Sequence, residues 1–127
     1  MSFAFSHKTG PILIEADITG PVRSQSVVLM LDTGATTSTF SEEVLISLGY
    51  DLAAATDRVR MVTGSGVTTV PRVVLTRMTA LGHSLFGLPV LAHSLPKGVA
   101  VNGLLGLDFL RDRVLTIDFK TGLIRLD

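Results

Sequence analysis

A mainly β domain with two short helices is the fold this sequence predicts, and three observations predict it. Apolar residues alternate or run in segments of strand length, without the longer 3.6-residue rhythm of core helices. Turn residues punctuate those segments, as in Thr19-Gly20-Pro21, Thr63-Gly64-Ser65-Gly66, Leu81-Gly82-His83 and Lys120-Thr121-Gly122. Helix signals are confined to two places, after Ser41 and after Gly106.

The elements follow in order. Ile12-Leu13-Ile14-Glu15-Ala16-Asp17-Ile18 alternates, turning Ile12, Ile14, Ala16 and Ile18 inward. Thr19-Gly20-Pro21 breaks it, and residues 22–31 return as a second strand ending in the apolar run Val27-Val28-Leu29-Met30-Leu31, expected to be buried. Ser41 is placed to cap a helix whose first turn carries Glu42 and Glu43 at the positive end of its dipole. Val44, Leu45 and Leu48 form that helix's apolar face, and Gly49 stops it. Residues 58–62 and 67–70 flank a glycine-rich hairpin, and residues 73–76 and 85–91 are further strands. Pro71 and Pro89 cannot donate to a ladder, so each is expected at an edge or a bulge. Gly103-Leu104-Leu105-Gly106 reads as a strand entering a short helix, with Leu104, Leu107 and Leu110 at helical spacing. Residues 114–119 and 123–126 close the chain as a hairpin.

Asp32-Thr33-Gly34 carries the chemistry. An apolar strand delivers an ionisable carboxylate straight out of the core, which costs several kcal/mol, on the order of a desolvated charge, unless the carboxylate finds a partner. Gly34 frees the backbone to turn and lets an amide approach the carboxylate, and Thr33 places a hydroxyl beside it. Such a triplet arises by chance in roughly one chain in twenty of this length. Asp, Thr and Gly are also ordinary turn residues. A turn alone leaves unexplained why the apolar run stops so abruptly before Ala35-Thr36-Thr37-Ser38-Thr39.

With Gly103-Leu104-Leu105-Gly106-Leu107-Asp108-Phe109-Leu110 in the same chain, the pattern resembles the retropepsin-like aspartic proteases, the single-domain relatives of pepsin. The matching pieces are the strand with Asp32-Thr33-Gly34-Ala35, the glycine-tipped hairpin and the apolar-apolar-Gly segment, in the family's order. The resemblance covers about residues 12–127 and implies one domain over residues 1–127. It implies a closed acid-protease-type β-barrel with a short helix before the C-terminal hairpin and a flap hairpin. By the same resemblance Asp32 is the catalytic carboxylate, supported by Thr33, Gly34 and Ala35, with the Thr33 hydroxyl tying two active-site loops together across a dimer. Met61, Val62, Gly64, Ser65 and Gly66 become flap and substrate-binding residues, and Ala35, Val62 and Leu104 line side-chain pockets. Retroviral members usually pair an acidic residue with an Arg where this chain has Thr36 and Leu107. Gly106-Leu107-Asp108-Phe109-Leu110 is closer to bacterial homologues and to the protease domains of the DNA-damage-inducible ubiquitin-shuttle proteins.

Composition narrows the alternatives. With 127 residues the chain is one domain, too short for two lobes. Lys+Arg and Asp+Glu balance at 11 each, which offers no electrostatic case for nucleic acid or an anionic membrane. No apolar stretch approaches the ~18–20 residues that span a bilayer. The apolar content, 46%, fits a buried interface in addition to a core. Residues 1–9 lack the basic start and apolar segment of a signal peptide, so a cytoplasmic location is expected. Zero cysteines exclude disulfides, thiolate metal sites and a Cys nucleophile. His7, His83 and His93 fit no metal-ligand spacing and are expected to be surface or structural residues. Gly64-Ser65-Gly66 lacks the Lys-Ser/Thr ending of a phosphate loop, so neither metal nor cofactor is expected. Ser38 and Ser65 have no plausible His-Asp partners in order, and Asp108 is expected to be structural, its carboxylate at the start of the short helix.

Peptide hydrolysis by carboxylates needs two of them, and the chain holds one Asp-Thr-Gly. A homodimer with a two-fold axis between Asp32 and its mate supplies the second, and an extended polypeptide is the expected substrate. Two other classes compete: a catalytically inactive retropepsin-like domain for dimerisation or peptide binding, and a small β-barrel with an incidental triplet.

Overall fold

A computed structural model describes residues 1–95, 98 and 100–127 of the chain. Ten strands and two helices are described: β1 (Ser2–Ala4), β2 (Leu13–Thr19), β3 (Ser24–Leu31), β4 (Thr39–Phe40), α1 (Glu42–Ser47), β5 (Arg58–Thr63), β6 (Gly66–Ala80), β7 (His83–Ala92), β8 (Gly103–Leu105), α2 (Leu107–Leu110), β9 (Leu115–Asp118) and β10 (Leu123–Leu126). The order β2-β3-β8-β4-β7-β6 closes on itself because β6 also pairs with β2, giving a six-stranded barrel. Closure removes the free edges that would otherwise invite pairing with other chains. Among the described residues β5 pairs only with β6, so the β5–β6 hairpin projects from the barrel wall. β1, β10 and β9 make a separate three-stranded sheet.

Alternation fixes the barrel register. In β2, Ile14, Ala16 and Ile18 point inward while Leu13, Glu15 and Asp17 face solvent. Ile18, Leu29, Phe40, Leu45, Leu48, Leu75, Met78, Val90, Leu105 and Phe109 are fully buried and form the core. Each such side chain contributes about 1.5–3 kcal/mol by leaving water.

Ser41 caps α1 as expected, its Oγ accepting from the Val44 N–H at 3.3 Å, with Val44, Leu45 and Leu48 buried beneath. Tyr50 lies just beyond and donates its hydroxyl to the Val74 carbonyl, and burial raises its phenol above the usual range. At the far end of the chain, Asp118 closes the last hairpin. The Thr121 backbone N–H, the Thr121 side chain and the Lys120 N–H hold its carboxyl below the usual range.

Several expectations need correcting. The run Val27–Leu31 is not buried throughout: Val27 and Leu29 are, whereas Val28 and Met30 are half-buried because a barrel strand turns alternate residues outward, and Leu31, on the inward face, is half-buried at the strand's end. That strand starts at Ser24, and Val22 is 70% exposed. Residues 67–70 and 73–76 belong to one 15-residue strand, β6, which runs through Pro71. Pro71 lies opposite Arg58, and the ladder resumes next door as the Arg72 N–H reaches the Asp57 carbonyl at 2.9 Å. Pro89 pairs with Val74 of β6, and among the described residues its other side has no ladder partner, because β4 reaches only Leu91 and Ala92. In α2 the buried residue is Phe109, while Leu107 and Leu110 are half-buried and Leu104 belongs to β8. β1 and β4 carry no sequence signal of their own, being held by the strands they meet.

His83 is structural, as expected. Its Nε2 meets the Leu126 carbonyl at 2.6 Å and its Nδ1 meets an Arg113 guanidinium nitrogen at 2.8 Å, which ties the start of β7 to the terminal sheet. Because Arg can only donate, Nδ1 is the acceptor and Nε2 carries the proton.

Candidate active site

The site is built where two parallel strands end side by side. β3 and β8 pair in register, Leu29 with Gly103, Met30 with Leu104 and Leu31 with Leu105. One residue further on, the Asp32 N–H donates to the Leu105 carbonyl at 3.0 Å, the last rung of that ladder. The chain then loops over residues 32–38 and comes back as β4 on the opposite side of β8, antiparallel to it. β8 is thus threaded between the strand that delivers Asp32 and the strand that leaves the loop.

Two glycines make the threading possible. A Cβ on Gly103 would lie 2.4 Å from the Thr39 carbonyl oxygen. A Cβ on Gly106 would lie 2.7 Å from the Ala35 carbonyl oxygen and 3.1 Å from the Ser38 nitrogen. These are backbone atoms within a closely packed crossing, so only residues without a side chain fit.

Within the loop, the Ala35 N–H returns to the Asp32 carbonyl at 3.1 Å, so Thr33 and Gly34 occupy a tight turn. The turn reading and the functional reading of the triplet are therefore compatible, since the turn is what presents the carboxylate. Asp32 Oδ1 accepts from the Gly34 N–H at 2.9 Å, the close amide approach that the glycine permits. Asp32 itself is half-buried, not buried, because it lies one residue past the barrel wall. Thr33 and Gly34 are exposed and Ala35 is half-buried.

The other predicted residues are dispersed. Leu104 is half-buried in β8 between Met30 and Thr39. Gly64 and Ser65 form the two-residue tip of the β5–β6 hairpin, with Thr63 opposite Gly66. Val62 is 80% exposed and Met61 half-buried. One groove of about 990 Å³ lies between β1 and the outer faces of β2 and β3, and includes none of the predicted site residues. Among the described residues no group of His, Asp or Glu is arranged to hold a metal ion.

The sequence model of the aspartyl protease family matches residues 14–109, about three quarters of the chain, from β2 through α2. The chain belongs to that family. Its fold is similar to the crystal structure of a retropepsin-like aspartic protease from Rickettsia conorii, with a TM-score of 0.75 and 22% identity over 99% of this chain and 89% of that one. No curated protein matches. The closed barrel, the projecting hairpin and the short helix expected from the resemblance are all present in this aspartyl protease family member.

Sequence reasoning misses the connection between Ser38 and Asp108. Ser38 is fully buried; its N–H and Oγ donate to the Asp108 carboxylate at 2.9 and 2.7 Å, and its Oγ accepts from the Gly106 N–H at 2.9 Å. It misses Asn102 too, whose Oδ1 accepts from the Val28 N–H at 2.8 Å where β8 begins beside β3. A polar residue next to a glycine in an otherwise apolar segment is the available signal for Asn102. Ser38, 70 residues from its partner, gives none. No described helix is long and apolar enough to cross a membrane.

Proposed function

We propose that this chain is an aspartic endopeptidase whose catalytic dyad is two copies of Asp32 brought together in a homodimer. The observation that carries the reading is the presentation of Asp32: a half-buried carboxylate at the end of β3, one oxygen held by the Gly34 N–H, on a loop braced from below by β8. The chain supplies one such group, so a symmetric partner must supply the other.

Two carboxylates about 3 Å apart cannot both ionise, so one keeps a proton while the other stays charged, the division of labour general to aspartic proteases. The ionised member takes a proton from a bound water as the water oxygen bonds to the scissile carbonyl carbon. The protonated member gives its proton to the carbonyl oxygen. Collapse of that tetrahedral species breaks the C–N bond as the first carboxyl passes the proton it took from water to the amine nitrogen. The second regains one from a hydroxyl of the intermediate, leaving an acid, an amine and the original dyad.

The polypeptide would lie extended beneath the two β5–β6 hairpins, its backbone bonding as an added strand. The exposed Val62, with Ala35 and Leu104, would favour apolar residues on both sides of the cut. The string Gly106-Leu107-Asp108-Phe109-Leu110 supports a placement nearer to bacterial and ubiquitin-shuttle protease domains than to retroviral enzymes. A cytoplasmic site of action belongs to the same proposal.

The test is digestion of a peptide library with mass spectrometry of the cuts, for the wild type and Asp32→Asn. Asn nearly preserves shape but cannot act as a base, so turnover should fall by about 100-fold or more while the fold persists. Turnover of Asp32→Asn within about tenfold of wild type sinks the assignment. Peptide binding without any cleavage by the wild type would favour the inactive, peptide-binding alternative.

A further inference from the structure

We propose that Asp108 is a positioning residue for Asp32: through Ser38 its carboxylate fixes the far end of the loop that carries the catalytic group. The proposal rests on the protease reading above.

Residues 105–108 brace the loop rung by rung. The Leu105 carbonyl accepts from the Asp32 N–H at 3.0 Å, the Leu107 N–H donates to the Ala35 carbonyl at 2.8 Å, and the Asp108 N–H donates to the Thr36 carbonyl at 3.2 Å. Those are backbone bonds, which need the close approach at Gly106 but call on no side chain of the loop. The rung at Ser38 is different. Asp108 Oδ2 accepts the Ser38 N–H at 2.9 Å, and Oδ1 accepts the Ser38 hydroxyl at 2.7 Å and the Phe109 N–H at 2.9 Å.

A carboxylate serving only the start of α2 would need only the Phe109 N–H. Here two of three bonds cross to the loop, and both go to one residue that is fully buried. The Ser38 hydroxyl has no access to water, so it must be satisfied within the protein, and it is: it donates to Asp108 and accepts from the Gly106 N–H. The pair therefore adds a side-chain anchor at the end of the loop, beyond what the backbone rungs supply. Thr36 and Leu107 offer no ion pair across the same junction. Asn at 108 keeps the volume but has one acceptor oxygen, so its amide would oppose one of the two Ser38 donors.

The experiment uses the full chain with a peptide that the wild type cleaves, active sites being counted with a statine-type transition-state analogue. Asp108→Asn and Ser38→Ala should each lower kcat per folded dimer by about tenfold or more with KM within about threefold, since the reacting geometry is disturbed and the peptide-binding surfaces are not. The double variant should be no worse than the poorer single variant, because both remove one link. A merely structural Asp108 lowers the amount folded and the melting temperature but leaves kcat per titrated site within about twofold, and that result overturns the proposal. Where Asp108→Asn does not fold, Ser38→Ala, which retains the carboxylate at the helix start, carries the same test. Amide exchange separates this proposal from the one beneath it. In both variants the amides of residues 34–38 should exchange at least about tenfold faster while β2 and β6 stay protected. A wild type that cleaves nothing refutes the protease reading and with it any catalytic role for Asp108. Unchanged exchange in the loop refutes the positioning itself.

Discussion

Asp32 can be found in the sequence because its neighbours along the chain announce it, whereas Ser38 and Asp108 matter through neighbours that only folding supplies. An apolar strand ending at Asp-Thr-Gly is a local pattern. The Ser38–Asp108 link spans 70 residues, and Ser38 sits in a string of small polar residues that looks like a loop. The sequence also overstates how deeply Asp32 is buried, because a strand's apolar character does not say where the barrel wall ends. Gly106 gives this scale its sharpest prediction. A Cβ there would meet Ala35 O at 2.7 Å, Thr37 C at 3.0 Å and Ser38 N at 3.1 Å, none of which can move as a side chain does. Gly106→Ala should therefore destabilise the fold by about 2–4 kcal/mol, the range of severe overpacking. At Gly64 a Cβ would meet nothing within 4 Å and the backbone is not left-handed, so Ala there should cost no more than about 0.5 kcal/mol. Urea unfolding of the two variants side by side checks the contrast, and equal midpoints would contradict it.

At the scale of elements, the sequence locates the strands with strong alternation and the capped helix α1, and it fails where an element owes its existence to a neighbour. β4 is two residues long and forms because β8 and β7 flank it. β1 forms on the edge of β10. β6 reads as two strands in the sequence because a proline marks a boundary there, although Pro71 falls where the pairing passes from β5 to β7. The β5–β6 hairpin lies where the sequence puts it, and the proposal that it acts as a flap has a direct test. Gly66 holds φ at +124°, a conformation that side-chain-bearing residues rarely adopt. Gly66→Val should distort the turn beside Ser65 and lower turnover by about tenfold or more, with only a few degrees' change in melting temperature, because the tip adds little to the core. A hairpin that is merely a connection would leave turnover per folded dimer unchanged. Measuring both quantities on the one variant decides the role.

For the whole molecule, one barrel bears one Asp-Thr-Gly, and the proposed dyad needs a second copy of it. Asp32 is half-buried, Thr33 beside it is exposed, and the groove beside β1 contains neither. Phe119 is 59% exposed although its ring packs edge-on against Phe5, and Leu123 on the terminal sheet is 41% exposed. In the proposed homodimer a second copy would cover these features, and folding, association and activity would then depend on concentration together. The sharpest consequence concerns Thr33. If its hydroxyl bonds across the two-fold axis to the partner's loop, Thr33→Ala removes two symmetry-related bonds per dimer, each contributing about 1 kcal/mol. The dimer dissociation constant should then rise by about 30-fold, since each 1.4 kcal/mol is a factor of ten. Thr33→Ser keeps the hydroxyl and should stay within about threefold of wild type. Specific activity should fall on dilution along the same curve as the dimer fraction, earlier for the Ala variant than for the other two. Sedimentation equilibrium across a dilution series, with turnover measured on the same samples, tests both statements at once. Equal dissociation constants for wild type and Thr33→Ala would remove Thr33 from the interface, and activity that is flat through the dissociation range would mean that a single chain does the chemistry alone.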